Sequence, residues 1–69
     1  MINKIQTAKN YISKYDKPLS VTSETISKSI IMKFDKSDLD KLNSLVKNIP
    51  CMFRMEIGLH EITLLLYNN

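Results

Sequence analysis

The chain has little of several residue types on which small proteins often depend. Its 69 residues include one cysteine, one histidine, one glycine and no tryptophan. The single cysteine, Cys51, excludes an internal disulfide, and one histidine leaves no Cys/His zinc set. The single glycine, Gly58, can hardly build the backbone nests that bind phosphate groups. We therefore expect neither a metal nor a cofactor.

Long apolar runs are also missing from the sequence. No stretch approaches the roughly 18 to 20 consecutive apolar residues that span a bilayer. The first residues, MINKIQTAKN, are amphipathic and do not show the basic segment followed by an apolar run that is typical of a signal peptide. Together with the unpaired cysteine, these features predict a cytoplasmic protein without a membrane partner.

The remaining composition is typical of one small globular domain. Hydrophobic residues make up 43% of the chain and charged residues 25%, so we expect residues 1–69 to fold as a single domain. A domain of this length is near the lower limit at which a hydrophobic core alone stabilises a fold. Since a disulfide and a zinc site are excluded, a protein partner or a second copy is the external support that remains.

The net charge of +3 is unevenly distributed. Residues 1–33 carry six lysines against two acidic residues, whereas residues 34–69 carry four basic against five acidic residues. Nucleic-acid binding is one interpretation, because cations supply most non-specific affinity for phosphate backbones. Its candidate residues are Lys9, Lys14 and Lys17. These lysines spread over the polar side of the first predicted helix, however, as on an ordinary solvated face.

Two amphipathic helices are predicted from apolar residues at three- and four-residue spacing. The first covers about residues 2–15 and ends ahead of Pro18. Its apolar stripe consists of Ile5, Ala8, Tyr11, Ile12 and Tyr15. The second helix begins at Ser37 as N-cap and ends at Pro50. Its stripe consists of Leu39, Leu42, Leu45, Val46 and Ile49.

Alternation of apolar and polar residues predicts three or four strands. Residues 19–29 are either a short strand followed by a turn or a flexible bridge. Residues from about 27 to 34 form a strand, which would pair with the earlier strand near residues 19–22 if that strand forms.

Residues 51–67, CMFRMEIGLHEITLLLY, predict a hairpin that turns at the single glycine. Alternate residues of the hairpin form its predicted core face: Cys51, Phe53, Met55, Ile57, Ile62, Leu64 and Leu66. In the preceding strand, the residues that share one face are Ile26, Ile30, Met32 and Phe34, and we expect that face to join the core. The fold class is therefore α+β, a small antiparallel or mixed sheet of three to four strands with both helices on one face. Its order is α-β-α-β-β or α-β-β-α-β-β.

The expected hairpin register follows from a two-residue turn at Gly58 and Leu59, and a four-residue loop over residues 57–60 keeps the same register. The predicted pairs are Ile57 with His60, Met55 with Ile62, Phe53 with Leu64 and Cys51 with Leu66. Glu56 would then face Glu61 directly, near His60 and Arg54. Such a carboxylate pair suits acid–base chemistry or metal binding, but a solvated hairpin tip is the simpler interpretation because no catalytic motif accompanies it. We expect no catalytic residue and no enzymatic activity.

The outer face of the predicted sheet is not cleanly polar. Exposed apolar clusters on small proteins usually mark a contact surface, and Tyr, Met and Arg are enriched in interfaces. Five residues of this face are therefore the predicted partner-binding set: Ile31, Met52, Arg54, Leu65 and Tyr67. The alternative is that the first helix crosses to this side and covers them.

No family motif is present in the sequence. Its length and its lysine- and asparagine-rich composition resemble those of phage accessory proteins, many of which bind and modulate a host protein. The expected function is a non-enzymatic protein-binding module, a modulator or inhibitor that acts through the outer sheet face or a strand edge. It would work in the host cytoplasm if phage-encoded. A homodimer through the same surface and a nucleic-acid-binding protein are the alternatives.

Overall fold

The computed structural model describes residues 3–24 and 28–68. Within them the elements are α1 (Lys4–Tyr15), β1 (Ser20–Glu24), β2 (Ser29–Asp35), α2 (Leu39–Leu45), β3 (Met52–Ile57) and β4 (Glu61–Tyr67). Short 3-10 turns at Lys36–Asp38 and Val46–Asn48 flank α2. The strands form one antiparallel sheet in the order β1-β2-β4-β3. The α+β fold is confirmed, with the longer of the two predicted orders.

Helix α1 begins at a side-chain cap. Asn3 Oδ1 accepts hydrogen bonds from the backbone N–H groups of Ile5 and Gln6, each at 3.1 Å. These bonds satisfy donors that have no partner within the first helical turn. The helix ends at Tyr15, because Asp16 is already extended two residues ahead of Pro18. The predicted end of this helix is confirmed, whereas the described helix begins at Lys4, after the extended Asn3. Residue 2, at which the prediction began, lies outside the described residues.

The start of the second helical segment differs from the prediction. Asp35, rather than Ser37, is the capping residue: Asp35 Oδ1 accepts from Ser37 N–H at 2.9 Å and from Ser37 Oγ at 2.7 Å. These bonds stabilise the ionised carboxylate and lower the pKa of Asp35. The cap moves because the carboxylate accepts both bonds at the end of β2. The helix itself and its end ahead of Pro50 agree with the prediction.

The hydroxyl-rich segment after α1 forms strand β1 and pairs with β2. Val21 lies opposite Met32, and Leu19 N–H donates to Lys33 O at 2.7 Å. The interpretation as a short strand is therefore confirmed over the described part of this segment. Ile26 and the predicted start of the next strand, at residue 27, lie outside the described residues.

The hairpin register predicted from sequence is wrong by two residues. Ile57 lies opposite Ile62, and Met55 lies opposite Leu64. The pairing is closed by Gly58 N–H, which donates to Glu61 O at 2.8 Å, so that the turn is made by the two residues that follow the glycine. Gly58 does not have a positive φ. A Cβ at this position would lie 3.0 Å from Glu61 O, so the close approach of two backbones favours glycine here.

A single apolar cluster joins both helices to one face of the sheet. Its buried members are Ile5, Ala8 and Ile12 of α1; Ile30, Met32 and Phe34 of β2; Leu42 and Val46 of the second helical segment; and Ile62, Leu64 and Leu66 of β4. We call the sheet face that meets the helices the inner face. Neither helix in the described ranges is long and apolar enough to cross a membrane.

Candidate protein-binding surface

The helices cover the central strands β2 and β4 but leave much of the edge strand β3 exposed. On the inner face, Ile62 and Leu66 of β4 are fully buried. Their direct partners on β3, Ile57 and Phe53, are 56% and 40% exposed. Neighbouring strands lie only about 4.8 Å apart, so the helical cover ends within one strand spacing.

Exposed apolar side chains continue along both sides of this strand and into the turn. Met52 on the outer face is 46% exposed, and Leu59 in the turn is 79% exposed. Met55 is half-buried against the core. We call this group the β3 edge surface; it consists of Met52, Phe53, Met55, Ile57 and Leu59.

Backbone groups of β3 are also exposed along its free edge. Hydrogen-bonded and non-hydrogen-bonded pairs alternate along an antiparallel ladder. Because Gly58 bonds to Glu61, the residues that bond to β4 are Glu56 and Arg54, two and four positions earlier. The backbone N–H and C=O groups of the alternate residues therefore point away from β4; these residues are Phe53, Met55 and Ile57. In the part of the chain that the structure describes, no strand pairs with that edge.

Edge strands of natural proteins are usually protected against pairing with another chain. Charged side chains (especially lysine), proline and bulges within the strand are the common devices. Strand β3, with the sequence MFRMEI, contains neither lysine nor proline, and its two charged residues, Arg54 and Glu56, both lie on the outer face. The β3 edge surface thus combines free backbone groups, exposed apolar side chains and little protection.

The residues predicted from sequence to bind a partner lie together on the outer face. Ile31, Leu65 and Arg54 form one row across β2, β4 and β3, and Met52 lies opposite Tyr67. The row borders a shallow depression of about 190 Å³ that Glu56 and Thr63 also line. Ile31, Leu65 and Tyr67 are half-buried, whereas Met52 and Arg54 are exposed. The buried residues of α1 belong to the inner-face cluster, so this helix does not cover the row.

The predicted carboxylate pair of the hairpin is wrong. Glu56 lies opposite Thr63, whereas Glu61 lies opposite Asp35 of β2. Lys33 Nζ approaches Glu61 Oε1 to 3.2 Å, so a cation compensates this carboxylate. The two-residue register shift is the cause. Across residues 3–24 and 28–68, no three His, Cys, Asp or Glu side chains are arranged to hold a metal ion.

The lysines considered for nucleic-acid binding lie on and just after α1. Lys9 is half-buried, while Lys14 and Lys17 are exposed. Lys14 Nζ lies 5.5 Å from the ring centre of Tyr15, within the range of a cation–π contact. Five residues on a helix turn through roughly 140°, so Lys9 and Lys14 do not share one face.

Sequence reasoning placed Phe53 and Ile57 in the core, and the structure shows both exposed. The alternation of side chains along the strand placed both residues correctly on the inner face. Alternation does not show how far the helices reach across that face. One feature of the sequence could have indicated that β3 is an edge strand. Strand β3 carries Arg54 and Glu56, whereas β4 is nearly continuous in apolar residues, as a central strand tends to be. No protein-family model, curated protein or solved structure matched this chain.

Proposed function

We propose that this protein is a small non-enzymatic binding module that modulates or inhibits a partner protein by pairing with one of its strands at the β3 edge. The observation that supports this most directly is the coincidence of free backbone groups and exposed apolar side chains at Phe53 and Ile57. Either feature alone is common on small proteins. Together they meet the two requirements of strand addition, in which the backbone supplies affinity and alternate side chains supply specificity.

The partner strand that fits this edge has one apolar face and one polar face. Its backbone would bond to Phe53, Met55 and Ile57. Its apolar side chains would lie beside the same three residues on the inner face, where they extend the core cluster. On the outer face it would meet Arg54 and Glu56, which favour opposite charges at matching positions.

The other exposed surfaces supply less apolar contact. Strand β1 also has a free edge in the described structure, but four of its five residues are polar and only Val21 is apolar. On the outer face, the apolar residues Ile31, Leu65 and Tyr67 are half-buried, so this face offers less exposed apolar area than the β3 edge surface. We therefore assign the main contact to the β3 edge surface, with Met52 and Arg54 linking it to the outer face.

Affinity capture from the source cells tests this proposal when it compares two matched variants. One variant carries Phe53→Ser and Ile57→Ser at the β3 edge, and the control carries Leu19→Ser and Val21→Ser at the β1 edge. All four residues are exposed, so both variants should keep the far-UV circular dichroism spectrum of the unmodified protein. We expect a specific partner protein to be retained by the unmodified protein and the control and lost from the β3 variant.

Two results would contradict the proposal. Equal retention of the partner by both variants would place the contact elsewhere. Salt-sensitive retention of DNA or RNA that disappears when Lys9, Lys14 and Lys17 become glutamine would support the nucleic-acid alternative instead. Hydrogen exchange gives a direct reading of strand addition, because the Met55 amide at the free edge should exchange more slowly in the complex.

A further inference from the structure

We propose that strand β3 of a second copy of this chain pairs with the β3 edge, so that two copies form a symmetric dimer with a continuous eight-stranded sheet. The inference rests on the proposed function, since it assigns the same edge to strand pairing and names a second copy of this chain as the occupant when no other partner strand is bound. It follows from the sequence MFRMEI of β3, which is complementary to itself in one antiparallel register.

The backbone of β3 permits this pairing about Met55. In the dimer, Met55 lies opposite Met55 of the second copy, and Phe53 lies opposite Ile57 of the second copy. These three residues are the ones whose N–H and C=O groups point away from β4. Directly opposed residues of this kind exchange two hydrogen bonds per pair. The free groups of both edges are therefore satisfied without a change in either sheet.

Inner-face side chains meet across the same register. The aromatic ring of Phe53, 40% exposed in one copy, lies beside Ile57 of the other, which is 56% exposed. The symmetry repeats this contact on the other side of the Met55 pair. Aromatic residues beside β-branched residues are among the favourable cross-strand pairs. Each exposed apolar row therefore buries part of its surface laterally against the same row of the second copy.

Charge complementarity selects this register over its neighbours. On the outer face, Arg54 lies opposite Glu56 of the second copy, and the symmetry makes this ion pair twice. Both residues occupy non-hydrogen-bonded positions of the new ladder, where side chains approach most closely. Sliding the strands by two residues places Arg54 opposite Arg54, or Glu56 opposite Glu56. Like charges directly opposite one another are destabilising, so these alternatives are disfavoured.

The residue at the end of the pairing also fits this arrangement. Met52, 46% exposed, lies opposite Gly58 of the second copy, which has no side chain with which it would clash. A chain of 69 residues is near the size at which external burial adds useful stability. The single cysteine provides no disulfide within the chain to replace that support.

Charge reversal tests the register when the molecular mass is measured by sedimentation equilibrium over a range of concentrations. We expect a dimer for the unmodified protein. Arg54→Glu and Glu56→Arg should each weaken dimerisation about tenfold or more, because both ion pairs become like-charge pairs. The double variant carrying both changes should dimerise again, since each reversed charge meets its reversed partner.

Mixing the two single variants gives the most specific result. In a mixed dimer, the Arg54→Glu copy presents two carboxylates on the outer face of β3, and the Glu56→Arg copy presents two guanidinium groups. Both cross-strand pairs are then oppositely charged, so a heterodimer should form from two weakly associating proteins. Lys47→Glu makes the same change of charge as Arg54→Glu, at an exposed site outside β3, and should leave the mass unchanged. Circular dichroism confirms that each variant is folded before its mass is interpreted.

The outcomes separate this inference from the proposed function. A monomeric mass for the unmodified protein at every concentration overturns the dimer, as does a dimer that none of the β3 charge reversals affects. The proposed function would still stand in either case if a partner protein is lost from the Phe53→Ser, Ile57→Ser variant alone. A dimer that follows the charge-reversal pattern supports the inference whether or not a further partner is captured.

Discussion

Ile57 and Ile62 lie directly opposite one another in the sheet, yet Ile62 is fully buried and Ile57 is 56% exposed. Both are isoleucines in neighbouring strands, and both point to the inner face. Their difference therefore reflects their positions: Ile62 lies on a central strand beneath the helices, and Ile57 lies on the edge strand at the margin of that cover. The helical layer is narrower than the four-stranded sheet beneath it. This difference in width leaves the β3 edge surface exposed.

Truncation of these two isoleucines should have very different effects on stability. Ile62→Ala removes a packed side chain and leaves a cavity, so we expect a loss of about 2–5 kcal/mol in the free energy of unfolding. Ile57→Ala leaves no enclosed cavity, and we expect a loss of roughly 1 kcal/mol or less. Urea unfolding at one low protein concentration measures both values. Equal losses would mean that the core extends over β3.

The cap of α1 gives a second prediction about stability. Asn3→Ala removes the Oδ1 atom that accepts from Ile5 and Gln6, and should lower the free energy of unfolding by about 0.5–2 kcal/mol. Asn3→Asp keeps an acceptor and places a negative charge at the positive end of the helix dipole, so it should retain the stability. Thermal unfolding followed by circular dichroism compares the three proteins. An equal loss in both variants would contradict the capping role.

The residues on each face of the sheet could be predicted from sequence, because the alternation of side chains along a strand is a local property. Met32 and Leu64 were assigned to the core face of their strands, and each is fully buried. The hairpin register could not be predicted in the same way. A shift of two residues keeps every side chain on its face, so this alternation alone does not distinguish Met55 opposite Ile62 from Met55 opposite Leu64.

The position of β3 at the edge of the sheet could not be predicted from local sequence patterns. Strand order is set by contacts between distant segments, here the pairing of β2 with β4. Once β4 occupies the centre, β3 has a partner on one side in the described structure. Phe53 then lies at the margin of the helical layer instead of beneath it. The candidate surface therefore arises from topology, and the predicted outer-face residues Met52 and Arg54 adjoin it.

Cys51 gives a prediction about chemical reactivity. Burial raises the pKa of its thiol, and the hydrogen bond with the backbone of Tyr67 offsets this only in part. Because the thiolate is the reactive form, the folded protein should react with iodoacetamide more slowly than the chain unfolded in urea at the same pH. Mass spectrometry of the alkylated fraction over time gives both rates. Similar rates would show that the thiol is open to solvent in the folded state.

Asp16 and Asp38 lie at the junction between the end of α1 and the start of the second helical segment. Burial raises the pKa of the Asp16 carboxyl above its ordinary value of 3.8, and the nearby Asp38 raises it further as a like charge and as a hydrogen-bond partner. Lys41 partly opposes this effect. The Oδ2 atom of Asp16 is enclosed by protein, in agreement with the burial. The folded state therefore binds the Asp16 proton more tightly than the unfolded state does.

A pH-dependent difference between the unmodified protein and Asp16→Asn follows from this linkage. The contribution of Asp16 to stability is fully present below pH 3.8 and is lost as the pH rises through the raised pKa of the folded state. Asparagine carries no charge at any pH in this range, so Asp16→Asn should be the more stable protein near neutrality. The difference in the free energy of unfolding between the two proteins should shrink as the pH falls. Urea unfolding of both proteins between about pH 4 and 7 measures this difference directly. A difference that stays constant over that range, or that grows as the pH falls, would contradict the raised pKa of Asp16.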